Sequence, residues 1–227
     1  MEGELSNWFD KKAKILLELA KGEGKRVIDI GCGTGAITKK FSDAGFDAVG
    51  IDTSKKCIDI AKKIKGPSFS NTNISDLKNM LKKGKRAFKQ RFDIAVISEV
   101  LEHSNNPIND LKNINSVLRP NGVVLVTVPA YQALFSEYDK KAGHVKRYSF
   151  QQIKQELNTA GFRVEKMFYW NCLGLLGWAL FCKVLGRAPG DAVNPFFNEI
   201  YGMFLKIEDH IKFPFGLTII IKARKQR

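Results

Sequence analysis

Apolar residues between Trp8 and Leu19 recur at helical spacing and predict a lead-in helix. Beyond it, short continuous apolar runs alternate with amphipathic ones. The apolar runs at 26–30, 48–51, 92–97, 123–128, 162–169 and 217–221 predict strands, with a further short one at 67–71. The runs at 37–44, 55–63, 107–118 and 151–160 carry apolar residues on one helical face. Strands and helices in alternation mean crossover connections and a mostly parallel sheet, an α/β fold. The last two strands break the rhythm, because they flank a long insertion, 171–214, instead of a tight hairpin.

The first strand-to-helix junction concentrates the candidate chemistry. Val27-Ile28-Asp29-Ile30 runs into Gly31-Cys32-Gly33-Thr34-Gly35 and then into the first helix of the alternation. Glycines on alternate positions leave the tightest part of the turn without side chains. Backbone N–H groups and a helix N-terminus can then approach a ligand. Asp52 ends the second strand, where a carboxylate can accept two hydrogen bonds from a ribose diol. Gly31, Gly33 and Ala36 also satisfy a loose dinucleotide pattern, so a nicotinamide-dependent oxidoreductase is one alternative, and a turn used only for packing is another. Asp29 favours a different cofactor: two residues before the first glycine, it can meet a cationic amine where a pyrophosphate would be repelled. Gly35, and the strand 92–97 opening into Ser98-Glu99-Val100-Leu101-Glu102-His103, point the same way.

Composition narrows the class. With 227 residues and 44% hydrophobic content, the chain can bury the core of one domain. Its net charge of +14 favours anionic partners, whether nucleic acid, an anionic membrane or a phosphorylated substrate, or else marks a solvated basic surface. The basic run 78–91, with seven cations and no acid, predicts a solvated surface helix and loop or an anionic docking patch. The four cysteines are scattered, so neither a zinc site nor a disulfide framework is indicated, and a reduced cytoplasmic setting is expected. The first residues lack the basic start and apolar stretch of a signal peptide.

The glycine loop, Asp52, the segment 92–103 and Leu118-Arg119-Pro120-Asn121-Gly122-Val123 together resemble the class I S-adenosylmethionine-dependent methyltransferases. They look most like the branch containing ubiquinone and menaquinone methyltransferases. The resemblance covers residues 8–165, and 216–225 looks like the final strand of that fold. It implies a Rossmann-like, doubly wound, seven-stranded sheet whose last strand is antiparallel. A single domain over 1–227 would then carry a helical insertion or lid at 171–214. S-adenosyl-L-methionine is the implied cofactor, with no metal. Asp29, Gly31, Gly33 and Gly35 would hold its methionine part, Asp52 its ribose hydroxyls, and Thr53 would lie beside the adenine. Asn73, followed by Ile74, stands where many relatives carry an acid for the adenine amine, and an Asn carbonyl can still accept from it. Ser98 and Glu99 would line the cofactor's open side, or serve as ordinary strand-end polar groups. Trp8-Phe9-Asp10-Lys11-Lys12 resembles a lead-in helix folded over the cofactor, with Lys12 at its carboxylate; core packing and a solvated lysine are the alternatives.

Methyl transfer from a sulfonium is an in-line displacement in which the protein supplies alignment and, for an oxygen nucleophile, a base. Histidine suits that task near neutral pH. His103 follows the fourth strand, and is either a base or a loop histidine. His144 lies in a loop after the fifth strand that collects a histidine, cations and tyrosines, among them Tyr131, Arg147 and Tyr148. Those residues suit an anionic or hydroxylated substrate, and His144 is the second candidate base. His210 has no supporting context.

The insertion opens on the chain's most apolar stretch, 168–182, too short at about 15 residues to span a bilayer, which takes ~20. With Trp170, Trp178 and nearby cations, it suits an interfacial helix, and a second amphipathic run covers 196–211. Peripheral contact with the inner face of a membrane through 171–211, a packed lid and a dimer interface all remain open. The expected activity is methylation, at oxygen or carbon, of a small hydrophobic or lipid-linked acceptor. Methylation of RNA is disfavoured, because Ser98-Glu99-Val100-Leu101 replaces the Asn-Pro-Pro-aromatic element usual in enzymes that methylate base amino groups. A non-catalytic cofactor-binding module at a membrane is the reading from outside enzymology.

Overall fold

The structure is a computed structural model that describes residues 2–84, 86–172, 174–175 and 213–226. Its elements follow one another as α1 (Glu2–Ala20), β1 (Arg26–Ile30), α2 (Ala36–Asp43), β2 (Asp47–Asp52), α3 (Lys55–Ala61), β3 (Ser68–Asn71) and α4 (Leu77–Lys82). Then come β4 (Phe92–Ser98), α5 (Pro107–Val117), β5 (Leu118–Pro129), α6 (Glu137–Lys141), α7 (Phe150–Thr159), β6 (Phe162–Trp170) and β7 (Thr218–Lys225). The strands form one seven-stranded sheet in the order β3-β2-β1-β4-β5-β7-β6. Pairing is parallel from β3 to β5, and β7 runs antiparallel to both β5 and β6.

Strand alternation divides the core in two. Ile28, Ile30, Ala95, Ile97, Val124 and Val126 face one side, where Leu111 and Ile114 of α5 and Ile153 and Leu157 of α7 cover them. Val27, Ile94, Val96, Val123 and Leu125 face the other, against Leu16 and Leu19 of α1 and Phe41 of α2. Strands apolar on both faces lose both to helices, which is why these segments carry almost no polar residue. Local signals set the helix starts: Asn106 caps α5 by accepting from the Asn109 N–H at 3.2 Å, with Pro107 following it.

The bottom edge of the sheet is fastened by Asp93. Its carboxylate accepts from the N–H of Lys25 at 2.7 Å and of Arg26 at 2.9 Å, and pairs with Arg119 at 2.9 Å. Three chain segments thus meet on one side chain.

The structure modifies two expectations. β5 begins at Leu118, five residues before the predicted start at Val123, because Leu118 pairs with Phe92 ahead of a register shift. Trp170 does not belong to an interfacial helix: it ends β6 and is buried in the cluster under α1. Nearly all of the insertion, including Trp178, His210 and most of 171–211, lies outside the described residues. Its two ends are fastened together, since the Leu217 N–H donates to the Asn171 carbonyl at 3.0 Å. Both ends stand at the carboxyl edge of β5, where Thr218 pairs with Pro129 and Trp170.

Asp93→Ala would leave two backbone donors without their partner and release Arg119. We expect it to lower stability by about 1–3 kcal/mol in urea denaturation.

Candidate active site

The strand order reverses between β1 and β4, and a crevice forms there outside the carboxyl ends of the strands. Four loops that the sequence singled out arrive at that edge from β1, β2, β4 and β5.

The glycine loop hangs from β2. The N–H groups of Gly31 and Cys32 both donate to the Ile51 carbonyl at 2.9 Å. The Gly33 N–H donates to Asp52 Oδ2 at 2.9 Å, and the Ser54 N–H to Asp52 Oδ1 at 2.7 Å. Each carboxylate oxygen keeps acceptor capacity for a ligand. Gly31 sits at φ +70°, and a Cβ there would stand 2.4 Å from Val100 Cγ2. Only glycine lets the β4 loop come this close. A Cβ at Gly33, by contrast, would meet nothing within 4 Å, so the loop opens into free space at its tip.

Charge is buried beneath this loop. Asp29, 2% exposed, accepts from Thr38 Oγ1 at 2.6 Å. Burial pushes its carboxyl up to about 7, against the opposing pull of the Thr38 hydrogen bonds and the Lys12 charge. Lys12 on α1 is 1% exposed and pairs with Glu99 Oε1 at 3.7 Å. Burial lowers its pKa although Glu99, Glu102 and Asp29 all favour its charged form. Lys12 is therefore neither solvated nor a free hand for a carboxylate ligand. Glu99 takes φ +55°, rare for a residue with a side chain, and its N–H donates to the Thr127 carbonyl at 3.1 Å. Its Oε1 accepts from Thr127 Oγ1 at 3.0 Å, so the Ser98 hydroxyl, 3.0 Å from Thr127 Oγ1, is left to donate. Glu102 is fully buried, and neither of its oxygens has a hydrogen-bond partner. Burial, then the adjacent Glu99 charge, raises its pKa well above the ordinary carboxylate range.

The loop after β5 is sewn onto the end of β4. The Val145 N–H donates to the Glu102 carbonyl at 2.8 Å, and the Tyr148 hydroxyl to the Leu101 carbonyl at 3.1 Å. His103 Nδ1 meets the Gly143 carbonyl at 3.0 Å, and His144 Nδ1 meets Asp139 Oδ1 at 2.9 Å. A carbonyl and an ionised carboxylate can only accept, so both imidazoles carry a proton on Nδ1, and in the neutral ring that tautomer leaves Nε2 as the acceptor. The two rings touch edge to face, 4.8 Å between centroids. Asp139 also holds Arg147, whose Nη2 lies 2.9 Å from Oδ1, and accepts from the Ser136 N–H at 2.9 Å. Burial acts to raise the Asp139 carboxyl; the hydrogen bonds from His144 and Arg147 and the guanidinium charge outweigh it and hold the group at about 2.

The structure therefore brings Asp29, Gly31, Gly33, Gly35, Asp52, Ser98, Glu99, His103 and His144 to one edge of the sheet. Thr53 is exposed beside Asp52, and its carbonyl accepts from Asn71 Nδ2 at 2.9 Å. Asn73 Oδ1 accepts from the Ser75 N–H at 3.0 Å, capping its own turn, while Ile74 packs against the core. Two expected acceptor contacts sit elsewhere. Tyr148 is a core residue, and Arg147, 2% exposed, is committed to Asp139. Both fix the loop that carries His144. Tyr131 stays at the edge, half-buried and stacked on Tyr169 with centroids 5.2 Å apart; Tyr169 stacks in turn on Phe150 at 4.1 Å. Glu102 and Asp139 were not among the sequence-predicted site residues, although Glu102 directly precedes His103 and Asp139 lies five positions before His144. The signal was available in the ionisable side chains flanking each histidine. Among the described residues, no helix is long and apolar enough to cross a membrane.

Comparison with known proteins agrees with this fold. A family model described as a methyltransferase domain matches residues 5–167. A ubiquinone biosynthesis O-methyltransferase of Actinobacillus pleuropneumoniae is 29% identical over 106 residues, 44% of this chain and 44% of that protein. The chain matches less than half the length of such curated relatives. Among solved structures, a SAM-dependent methyltransferase from Archaeoglobus fulgidus superposes with a TM-score of 0.62 at 20% identity, covering 96% of this chain and 94% of its own. The [4+2]-cyclase SpnF superposes with a TM-score of 0.60 at 19% identity, over 94% of this chain and 80% of its own. One fold thus carries different chemistries, and likeness of fold leaves the reaction to be argued from the site.

Asp139 gives a pH-dependent prediction. Its folded pKa lies below the unfolded value, so its stabilisation is present above about pH 4 and is lost as pH falls toward about 2. Asp139→Asn should be less stable than wild type at pH 7, by on the order of 3 kcal/mol for a broken buried pair. The gap measured by urea denaturation should narrow across that acidic window.

Proposed function

The chain belongs to the methyltransferase-domain family, and on that premise we propose that it transfers a methyl group from S-adenosylmethionine to a hydroxyl of a small hydrophobic or lipid-linked acceptor. The observation that carries this reading is the juxtaposition of the glycine loop and Asp52 with two histidines whose Nδ1 atoms are held by acceptors of the chain. The residues present fit the cofactor. The glycine loop opens into free space at Gly33, Asp52 keeps acceptor capacity toward a ribose diol, and Asp29 offers a buried acid to an ammonium. Thr53, Asn73 and Ile74 stand on the adenine side, and Ser98 and Glu99 on the open side. The cofactor supplies a methyl group on a positively charged sulfur, which departs with the C–S electron pair.

This chain's residues do the rest by position. The Asp139–His144 hydrogen bond fixes the tautomer whose Nε2 accepts a proton, so the simplest arrangement gives the hydroxyl proton to His144 as the oxygen takes the methyl. His103 stands beside it. Tyr131, stacked on Tyr169, offers an aromatic wall to an apolar acceptor. The acceptor class is supported by the curated relatives, named for ubiquinone biosynthesis, and by the apolar sequence of the insertion. That insertion leaves and rejoins the sheet at the carboxyl edge. We extend the proposal to it: the segment 171–211 covers the acceptor side and meets lipid peripherally.

Asp52→Ala should weaken S-adenosylhomocysteine binding by about 10- to 100-fold, the worth of charge-assisted hydrogen bonds, when measured by calorimetry. Unchanged affinity would sink the cofactor assignment. Asp29 adds a second check. A ligand ammonium favours its ionised form, so affinity should rise with pH through about 7 and level off above, and Asp29→Asn should flatten the profile. Incubating the protein with radiolabelled S-adenosylmethionine and hydroxylated quinones or extracted lipids tests the acceptor. Label is expected on an acceptor oxygen, and label recovered only in RNA would overturn the reading.

A further inference from the structure

The proposed methyl transfer leaves Lys12 without a task, yet this side chain is only 1% exposed. A lysine is almost never withdrawn from water to this degree unless it is paired. The fold dictates where its ammonium goes. Lys12 lies one turn before Leu16 on α1, and Leu16 packs onto the sheet face that Val27 lines. Side chains four apart share a helix face, and side chains two apart share a strand face. Lys12 and Asp29, two positions beyond Val27, are therefore brought to the same side of the sheet, at the carboxyl end of β1. Thr38 reaches that side from α2 and donates to Asp29 Oδ2 at 2.6 Å.

Lys12 Nζ lies 3.7 Å from Glu99 Oε1 and 5.3 Å from the centre of the Phe9 ring. Burial lowers its pKa, while Glu99, then Glu102, then Asp29 act to keep it charged. Burial and the Glu99 charge favour the protonated form of Glu102, so Glu99 and Asp29 are the anions that matter most to Lys12 near neutral pH. Asp29, 2% exposed, faces Thr38 on α2, Lys12 on α1 and Asp52 at the end of β2. Burial pushes its carboxyl up to about 7; the Thr38 hydrogen bonds and the Lys12 ammonium pull it down, and the Asp52 charge adds to the rise. Of these groups, Lys12 alone is cationic.

We propose that Lys12 is a positioning residue for the cofactor: acting through Asp29, its ammonium keeps that carboxylate ionised for the cofactor's own ammonium, and so sets the pH range over which the cofactor binds. The ligand's part in this rests on the S-adenosylmethionine reading, whereas the coupling of Lys12 to Asp29 rests on the packing of α1 over β1. An opposite charge within about 4–6 Å favours an ionised carboxylate by roughly 1–3 pH units. Without that charge Asp29 holds its proton to a higher pH, and a ligand ammonium must displace the proton as it binds. The penalty disappears once the pH is high enough to ionise Asp29 unaided. A lysine that gripped the ligand's carboxylate directly would behave differently, because its loss would weaken binding above the Asp29 midpoint as well as below it. The lead-in helix thus serves the cofactor through charge and not through contact.

Lys12→Met and Lys12→Gln both remove the charge and keep most of the buried stem, so either serves where the other fails to fold. Calorimetric titration of the full chain with S-adenosylhomocysteine, from about pH 5.5 to about 9.5, should give wild type an affinity that rises with a midpoint at about 7. In the variants the midpoint should lie about one unit higher. Their affinity should be about tenfold below wild type at about pH 6 and within about twofold of it at about pH 9.5. An unchanged profile, or a loss of the same size at both ends of the range, would overturn the proposal. Carbon-13 NMR of the aspartate carboxyl groups reads the Asp29 midpoint with no ligand present, its signal assigned by its absence in Asp29→Asn. A ligand-free midpoint that moves up in the variants, beside a wild type that fails to bind S-adenosylhomocysteine, would remove the cofactor reading and leave the coupling standing. A wild type that binds S-adenosylhomocysteine, with a ligand-free midpoint that the variants do not move, would overturn the coupling and leave that reading intact.

Discussion

Parallel pairing is the constraint from which the rest of the molecule follows. Two parallel strands cannot be joined by a hairpin; each connection must climb back over a face of the sheet. From β1 to β5 every strand therefore delivers its carboxyl end, and the loop that follows, to the same edge. Gly31, Asp52, Ser98 and Tyr131 are widely spaced in the chain, yet all four stand at such an end or within two positions of it. The crevice lies where the order turns from β1 to β4, because there the crossovers part to opposite faces and leave the edge uncovered.

That edge is built from polar groups that the fold withdraws from water. Asp52 ties the glycine loop to β2, Asp139 ties His144 to Arg147, and Glu99 ties β4 to β5 through Thr127. Each carboxylate has a structural task, and each keeps capacity or position for a ligand. Preorganisation of this kind has a cost in buried charge, visible in the raised pKa values of Asp29 and Glu102. Ligands that bring positive charge to the crevice offset it.

Much of this was legible in the chain itself. The apolar runs located β1, β2, β4 and β5 because these central strands are buried on nearly their whole length, and the edge strands β3 and β6, which carry polar residues, were marked by their short aromatic-containing runs instead. The glycine loop was legible because a backbone turn at positive φ leaves few choices of residue, and with Asp52 it marks the end of the sheet where we propose the cofactor binds. The acceptor end was harder to read. Tyr148 and Arg147 resemble site residues in composition, yet one packs in the core and the other neutralises Asp139. Burial decides between those roles, and no local pattern encodes the burial of a single residue in a loop.

The sequence by itself determined the α/β class, the strand positions, the glycine loop and the identity of the ionisable groups, since these depend on local periodicity and local backbone demands. Only the tertiary structure decided which of those groups meet. It placed Lys12 among Asp29, Glu99 and Glu102, fastened His103 and His144 through Nδ1, and buried Glu102 beside Glu99. The physical reason is separation along the chain. Contacts between α1, the end of β4 and the loop after β5 arise from sheet order and crossover geometry, and those exist only once the whole sheet has assembled.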